Sequence, residues 1–249
     1  MLALVQITSA QIKVTDFTEP ELKGHVKRVT EYTWQGDKNN SNIDTTQNPE
    51  KAMKTFDENG RELSDVEYLQ SGDLFQKFSF EYSGDTIATK LQFYDGQTVA
   101  SYVYTYDKTG REIEFDTFLS VGGKPYSVYY KYDGKGNRVE ENTNGTSAFV
   151  PKKTVITYNE KNEKIEAYAF LYNGKLNSRT IYEYDNYGRQ TKAEIRDSSG
   201  KITTLILTSC SNTDINGNWL WLKSEYKAHN ARQGNVSFIH ITKRVIEYF

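Results

Sequence analysis

One cysteine, Cys210, in 249 residues leaves no partner in the chain for a disulfide and excludes a multi-cysteine zinc site. Histidine is as scarce. His25, His229 and His240 have no H-x-x-x-H type of metal-ligand spacing. No run approaches the roughly 18 apolar residues of a membrane helix, and mean hydropathy is −0.73, so no membrane span is expected. Excess positive charge is also missing. Lys+Arg is 31 against Asp+Glu 33, a formal charge of −2, which removes the footprint of a sequence-independent nucleic-acid binder. No G-x-S-x-G, P-loop or dinucleotide fingerprint occurs. What is abundant is tyrosine, 19 residues against 2 Met and 4 Pro. Tyrosine fits a pleated, half-wet surface, so β structure is expected.

The tyrosines follow a repeat. Phe56-Asp-Glu-Asn-Gly-Arg61, Tyr82-Ser-Gly-Asp85, Tyr106-Asp-Lys-Thr-Gly-Arg111, Tyr132-Asp-Gly-Lys-Gly-Asn-Arg138, Tyr158-Asn-Glu-Lys-Asn-Glu163 and Tyr184-Asp-Asn-Tyr-Gly-Arg189 start 26, 24, 26, 26 and 26 residues apart. A related Asp214-Ile-Asn-Gly-Asn218 comes next. The aromatic ends a strand, Asp or Asn accepts hydrogen bonds from turn amides, and Gly takes the positive-φ position of a short hairpin loop. Between the motifs, residues alternate with period two, as in Tyr126, Val128, Tyr130 and Tyr132. A second turn, such as Asp95-Gly96 or Asn173-Gly-Lys175, lies midway. One repeat is therefore strand, turn, strand, turn. The expected fold is all-β, a long curled antiparallel meander of up to about 16 strands with almost no helix.

The first 20 residues stand apart. Met1-Leu-Ala-Leu-Val-Gln-Ile-Thr-Ser-Ala10 is apolar and then small, which reads either as the remnant of a secretory signal or as a first strand. Residues 21–249 read as a single repeat domain, with Gly36–Glu50 and Asn142–Lys152 as longer polar connections.

Tyr-Asp-x-x-Gly-Arg at this period resembles the YD repeat, also called the RHS repeat, with Tyr106, Tyr132 and Tyr184 opening the best-matching copies. Leu22-Lys-Gly-His-Val-Lys-Arg-Val-Thr30, Asp214-Ile-Asn-Gly-Asn-Trp219 and Thr242-Lys-Arg-Val-Ile-Glu247 are similar to small extracytoplasmic RHS-repeat-like proteins of Bacteroidetes. The resemblance covers roughly Leu22 to Phe249. In large family members such repeats form a spiralling shell around a toxin, or a cell-surface shaft. This chain has too few copies for that shell and no toxin-like tail. The resemblance implies an elongated curled sheet with an adhesive or scaffolding role.

Candidate chemistry is sparse. Glu112 with Glu114, or Glu140 with Glu141, can be drawn as acid–base pairs, but strand alternation assigns them to a solvent face. Cys210 lies in an apolar strand and reads as a small hydrophobe. Asp57-Glu-Asn-Gly60 and Asp214-Ile-Asn-Gly-Asn218 fall short of a calcium ligand set. No catalytic, cofactor or metal residue is therefore assigned. The aromatics offer one candidate ligand surface. Trp219 and Trp221 are spaced i, i+2 and should share a face, with Tyr226 following on the same strand. An indole can stack on a sugar while its N–H finds a polar partner; the alternative is that these rings close the last strands.

The sequence thus predicts a non-enzymatic, periplasmic or extracellular binding or scaffolding protein, its partner an extracellular glycan or another envelope protein. A carbohydrate-binding module is one alternative. A cytoplasmic immunity-type partner protein is the other.

Overall fold

The computed structural model describes residues 22–37, 43–120, 126–145, 151–230 and 234–249. The first 20 residues lie outside this set, as do parts of the two longer connections. Among the described residues there is no helix. The strands are β1 (Val26–Asp37), β2 (Glu50–Phe56), β3 (Glu62–Tyr68), β4 (Leu74–Ser83), β5 (Thr86–Tyr94), β6 (Gln97–Tyr106), β7 (Glu112–Leu119) and β8 (Tyr126–Tyr132). They continue as β9 (Arg138–Asn144), β10 (Lys153–Tyr158), β11 (Lys164–Phe170), β12 (Leu176–Tyr184), β13 (Gln190–Asp197), β14 (Ile202–Thr213), β15 (Trp219–Asn230) and β16 (Gly234–Tyr248).

Each strand pairs antiparallel with its neighbours in sequence, as a meander requires, but the sheet is not open. It is a closed barrel, because β1 also pairs with β16, from Arg28 opposite Glu247 to Asp37 opposite Phe238. This corrects the curled open sheet expected from the repeat. An open sheet leaves two rows of unpaired N–H and C=O groups. Here the two terminal strands are long, 12 and 15 residues, and satisfy each other.

Alternation divides the wall into two faces. Tyr182, Ala193, Ile206, Tyr226 and Phe238 are cross-strand partners on one face and pack as the core. Following the register onward, the same face carries Val29, Phe78, Ala100, Thr117, Val128 and Ile156, all buried. Tyr182 and Tyr226 are each only 5% exposed. The opposite face carries exposed ion pairs, so this face is the interior. The outer face carries ion pairs over β8–β13. Glu140 lies between Lys131 and Lys153 (2.6 and 2.5 Å), Arg179 meets Glu166, and Lys192 reaches Glu183 at 2.8 Å and Glu194 at 3.5 Å.

The Tyr-Asp turns all lie at one rim and share one hydrogen-bond scheme. In the turn after β6, the Asp107 N–H donates to the Arg111 carbonyl (2.8 Å) and the Gly110 N–H to the Asp107 carbonyl (3.0 Å). The Asp107 carboxylate accepts from the amides of Thr109 and Arg111 and from Arg111 Nε (2.8, 3.1 and 2.8 Å). Gly110 has φ 82°, where a Cβ would be strained. Asp57, Asp133, Asn159, Asp185 and Asp214 repeat the pattern. In the copy lacking glycine, Asn162 takes φ 61°.

Neighbouring turns are tied by the repeat tyrosines. The hydroxyls of Tyr82, Tyr132, Tyr158 and Tyr184 donate to the carbonyls of Glu62, Glu112, Arg138 and Lys164, at 2.9, 2.6, 2.9 and 2.9 Å. Every one of these bonds reaches back 20 residues, to the first strand residue past the preceding turn. At the seam Asn218 takes over. Its Oδ1 accepts from the Lys23 amide (2.8 Å), and its Nδ2 donates to the Lys23 carbonyl and to the Tyr248 hydroxyl (both 2.9 Å).

Tyr132→Phe keeps the ring and deletes one bond, so it should destabilise by about 0.5–1.5 kcal/mol. Asn218→Ala strips the partners from a buried seam residue and should cost more, about 1–3 kcal/mol. Urea denaturation of the two variants checks the order. Equal stabilities would mean that the seam contact adds nothing beyond an ordinary turn.

Candidate functional site

The three aromatics singled out in the sequence do not form one platform. Trp219, the first residue of β15, is buried, and the Arg244 guanidinium lies 3.6 Å above its ring. Arg244 also donates through Nε and Nη2 to Glu31 Oε1, its cross-strand partner, at 2.9 and 2.5 Å. Trp221 has different company: Trp34 stacks on it with centroids 6.3 Å apart, and Lys243 Nζ is 5.7 Å from its ring. Lys243 and Arg244 are adjacent in β16 and project to opposite faces, so the two indoles engage opposite sides of the seam. Tyr226 is in the interior, stacked on Phe238 at 4.6 Å with His240 at 5.2 Å. Burial pushes the His240 pKa down.

Sequence reasoning missed Trp34. It sits on β1, its Nε1 donates to the Gln47 carbonyl at 2.9 Å, and Tyr32 lies 6.4 Å away. Only closure of the barrel brings it to Trp221. No local sequence signal marks that meeting.

The carboxylate pairs are split by the wall. Glu114 pairs with Tyr129 on the outer face, and Glu140 belongs to the outer ion pairs. Lysine hydrogen bonds hold the Glu140 carboxyl down at about 2. Glu112 and Glu141, expected on a solvent face, are instead half-buried inside. There Arg138 stands 3.6 Å from each of them and 3.6 Å from the Tyr130 ring. Burial pushes the Glu112 carboxyl up against the opposing pull of Arg138, and it also pushes the phenols of Tyr104 and Tyr130 far up. A carboxyl with a raised pKa is the kind that moves protons, but here the Arg138 guanidinium is shared between both acids.

A second interior cluster runs across four strands. Tyr102 donates to Gln92 Oε1 (2.8 Å), Gln92 Nε2 to Gln76 Oε1 (2.9 Å), and Gln76 Nε2 to Glu67 Oε2 (2.7 Å). Lys90 lies 4.0 Å from the Phe78 ring on the same face. Burial, and then the charge of Glu67, push the Glu50 carboxyl up. Such a chain of amides and hydroxyls fixes a polar row in a core and can hydrogen-bond a polar guest at its ends. The carboxylates of the Tyr-Asp turns are occupied by turn amides. Among the described residues, no group of three or more His, Cys, Asp or Glu side chains is placed to hold a metal ion.

No protein-family model matches the chain, and no curated protein matches it. Several solved structures do. One is a chain of the Tc holotoxin pore of Photorhabdus luminescens, 14% identical over 82% of this chain and 15% of that one, with a TM-score of 0.38. This chain thus spans only 15% of the length of the toxin chain. Another is a porin-like protein from Bacteroides uniformis, 11% identical over 91% of this chain and 98% of that one, with a TM-score of 0.45. A third is a putative outer membrane lipoprotein-sorting protein domain from Vibrio parahaemolyticus, 11% identical over 89% and 86% of the two chains, with a TM-score of 0.31.

Glu50 gives a pH test. Its folded pKa lies above the ordinary 4.5, so the folded chain holds this proton to higher pH than the unfolded chain does. Stability from this group is present below the ordinary value and is lost as pH rises through the folded one. Glu50→Gln should therefore raise the melting temperature near pH 7 and leave it unchanged near pH 4. A lower melting temperature near pH 7 would show that the charged carboxylate is favourably held.

Proposed function

We propose that the protein is a non-enzymatic β-repeat binding or scaffolding protein of the YD/RHS type, acting in the bacterial envelope or outside the cell. The observation that carries this reading is how the ionisable groups are used. The turn carboxylates are filled by turn amides, Arg138 is shared between Glu112 and Glu141, and Arg244 bridges Glu31 and Trp219. These contacts build a wall and a rim. None leaves a base poised beside a nucleophile, as acid–base or covalent catalysis requires. No helix of the described chain is long and apolar enough to cross a membrane. The charged outer face over β8–β13 also departs from the apolar band of a lipid-embedded barrel. That charged band fits a barrel that stands in water.

A carbohydrate-binding role is favoured by one observation: the near-parallel Trp34–Trp221 pair (17° between planes) beside the exposed Lys243. Trp34 is itself buried and backs the pair, so the surface open to a sugar is the half-buried Trp221 with Lys243, rather than Trp219 and Tyr226.

Two assays test these readings. Hydrolysis of a panel of glycosides, esters and peptides by the wild type and by Glu112→Gln should show no difference; turnover abolished by Glu112→Gln would make the protein an enzyme. Tryptophan emission titrated with soluble polysaccharides should respond, and Trp221→Ala should remove the response, if the seam binds glycan. A flat titration for every polysaccharide would leave scaffolding alone.

A further inference from the structure

We propose that the outer face of the seam binds an extended acidic polysaccharide, one whose carboxylate-bearing sugars alternate with uncharged ones, along a row formed by Trp221, Lys243, Tyr32, Lys51 and Tyr68. The proposal rests on the carbohydrate reading given above and names the class of glycan.

The row is a consequence of register. Trp221 is the cross-strand partner of Lys243, Lys243 of Tyr32, Tyr32 of Lys51, and Lys51 of Tyr68. The neighbouring strands β15, β16, β1, β2 and β3 therefore present aromatic, lysine, aromatic, lysine and aromatic side by side. Alternation along each strand fixes the face. Arg244, Glu31, Ala52 and Glu67 adjoin the row in sequence and are cross-strand partners of one another on the inner face, which leaves the row outside.

Its polar ends are free. Lys243 Nζ stands 5.7 Å from the Trp221 ring and Lys51 Nζ 5.1 Å from the Tyr68 ring. A contact with a ring face orients an ammonium group and leaves N–H donors for another partner. Among the described residues neither lysine makes a hydrogen bond or an ion pair, and the Tyr32 and Tyr68 hydroxyls are likewise without a partner. Acids are kept away from the row. On β1 and β2 the carboxylates Glu31, Asp37 and Glu50 all alternate to the inner face. On β15 and β16 the outward Glu225 and Glu247 are bridged by Lys223 at 2.7 Å and by Arg28 at 2.9 Å. The row is thus positive on a chain whose formal charge is −2.

The spacing selects the ligand. An aromatic face takes the apolar face of a sugar ring, and an ammonium takes a carboxylate. The two lysines are two strand spacings apart, about 9–10 Å, and so are successive aromatics. A sugar in an extended chain advances by about one strand spacing, so a polymer acidic at every second sugar meets rings and ammonium groups in turn. A neutral glycan leaves the lysines unused, and a polyanion without sugar rings leaves the aromatics unused.

Isothermal titration of the full chain with hyaluronate, dextran and poly-glutamate tests this. Hyaluronate should bind at low salt and weaken as salt is added, with dextran and poly-glutamate each at least about tenfold weaker. Lys51→Gln and Lys243→Gln should each weaken hyaluronate by about three- to tenfold and leave circular dichroism unchanged. Tyr68→Ala should weaken it as well, which a site confined to Trp221 would not show. Dextran bound as tightly as hyaluronate overturns the acidic assignment and leaves the carbohydrate reading standing. Poly-glutamate bound as tightly reduces the row to charge alone and overturns the proposal. Hyaluronate binding indifferent to both Lys51→Gln and Tyr68→Ala also overturns it, and no binding of any of the polymers overturns the carbohydrate reading with it.

Discussion

The pairing of β1 with β16 is the constraint on which the rest of the structure depends. A meander built from identical hairpins can be extended at either end, and each added strand only moves the unpaired edge. Closure removes both edges at once. It also creates an inside, which lets a chain with only 37% hydrophobic residues keep Tyr182, Tyr226 and Phe78 out of water. The seam is reinforced on both faces, by Arg244 with Glu31 and Trp219 within, and by Trp34 with Trp221 outside. Two of the chain's three tryptophans, Trp34 and Trp219, are buried there, where no repeat unit supplies its own neighbour.

The repeat was legible because its causes are local. Asp107, Gly110 and Arg111 build their turn from five consecutive residues, and period-two alternation needs only a strand to follow it. Strand number and antiparallel order could therefore be read directly. Closure could not, because its contacts join residues more than 200 positions apart, such as Glu31 and Arg244, and leave no trace in any window of sequence. The candidate site suffered for the same reason. Strict alternation puts Trp219 and Trp221 on one face. The β14–β15 register runs unbroken through both residues; what separates them is their company across the seam, Arg244 for Trp219 and Trp34 with Lys243 for Trp221. Glu141 follows the outward Glu140 on β9 and so points inside opposite Tyr130, where Arg138 stands 3.6 Å from it and from Glu112.

The Tyr-Asp rim is internally satisfied, with each carboxylate closing its own turn and each tyrosine hydroxyl holding the turn before it. Both rims hold large apolar groups in water: Tyr187 and Ile215 at the Tyr-Asp rim, Tyr94 and Tyr172 at the other.

The tyrosine bonds that reach back 20 residues carry a consequence for how such a protein changes over generations. The tyrosine bonds tie each repeat to the one before it, while the seam draws on β1, β15 and β16 through Asn218, Trp219, Trp221 and Arg244. Loss or duplication of one 26-residue unit would leave every remaining link in register and alter only the circumference. The bore of the barrel is thus a copy-number trait, adjustable by recombination between repeats without redesign of the wall.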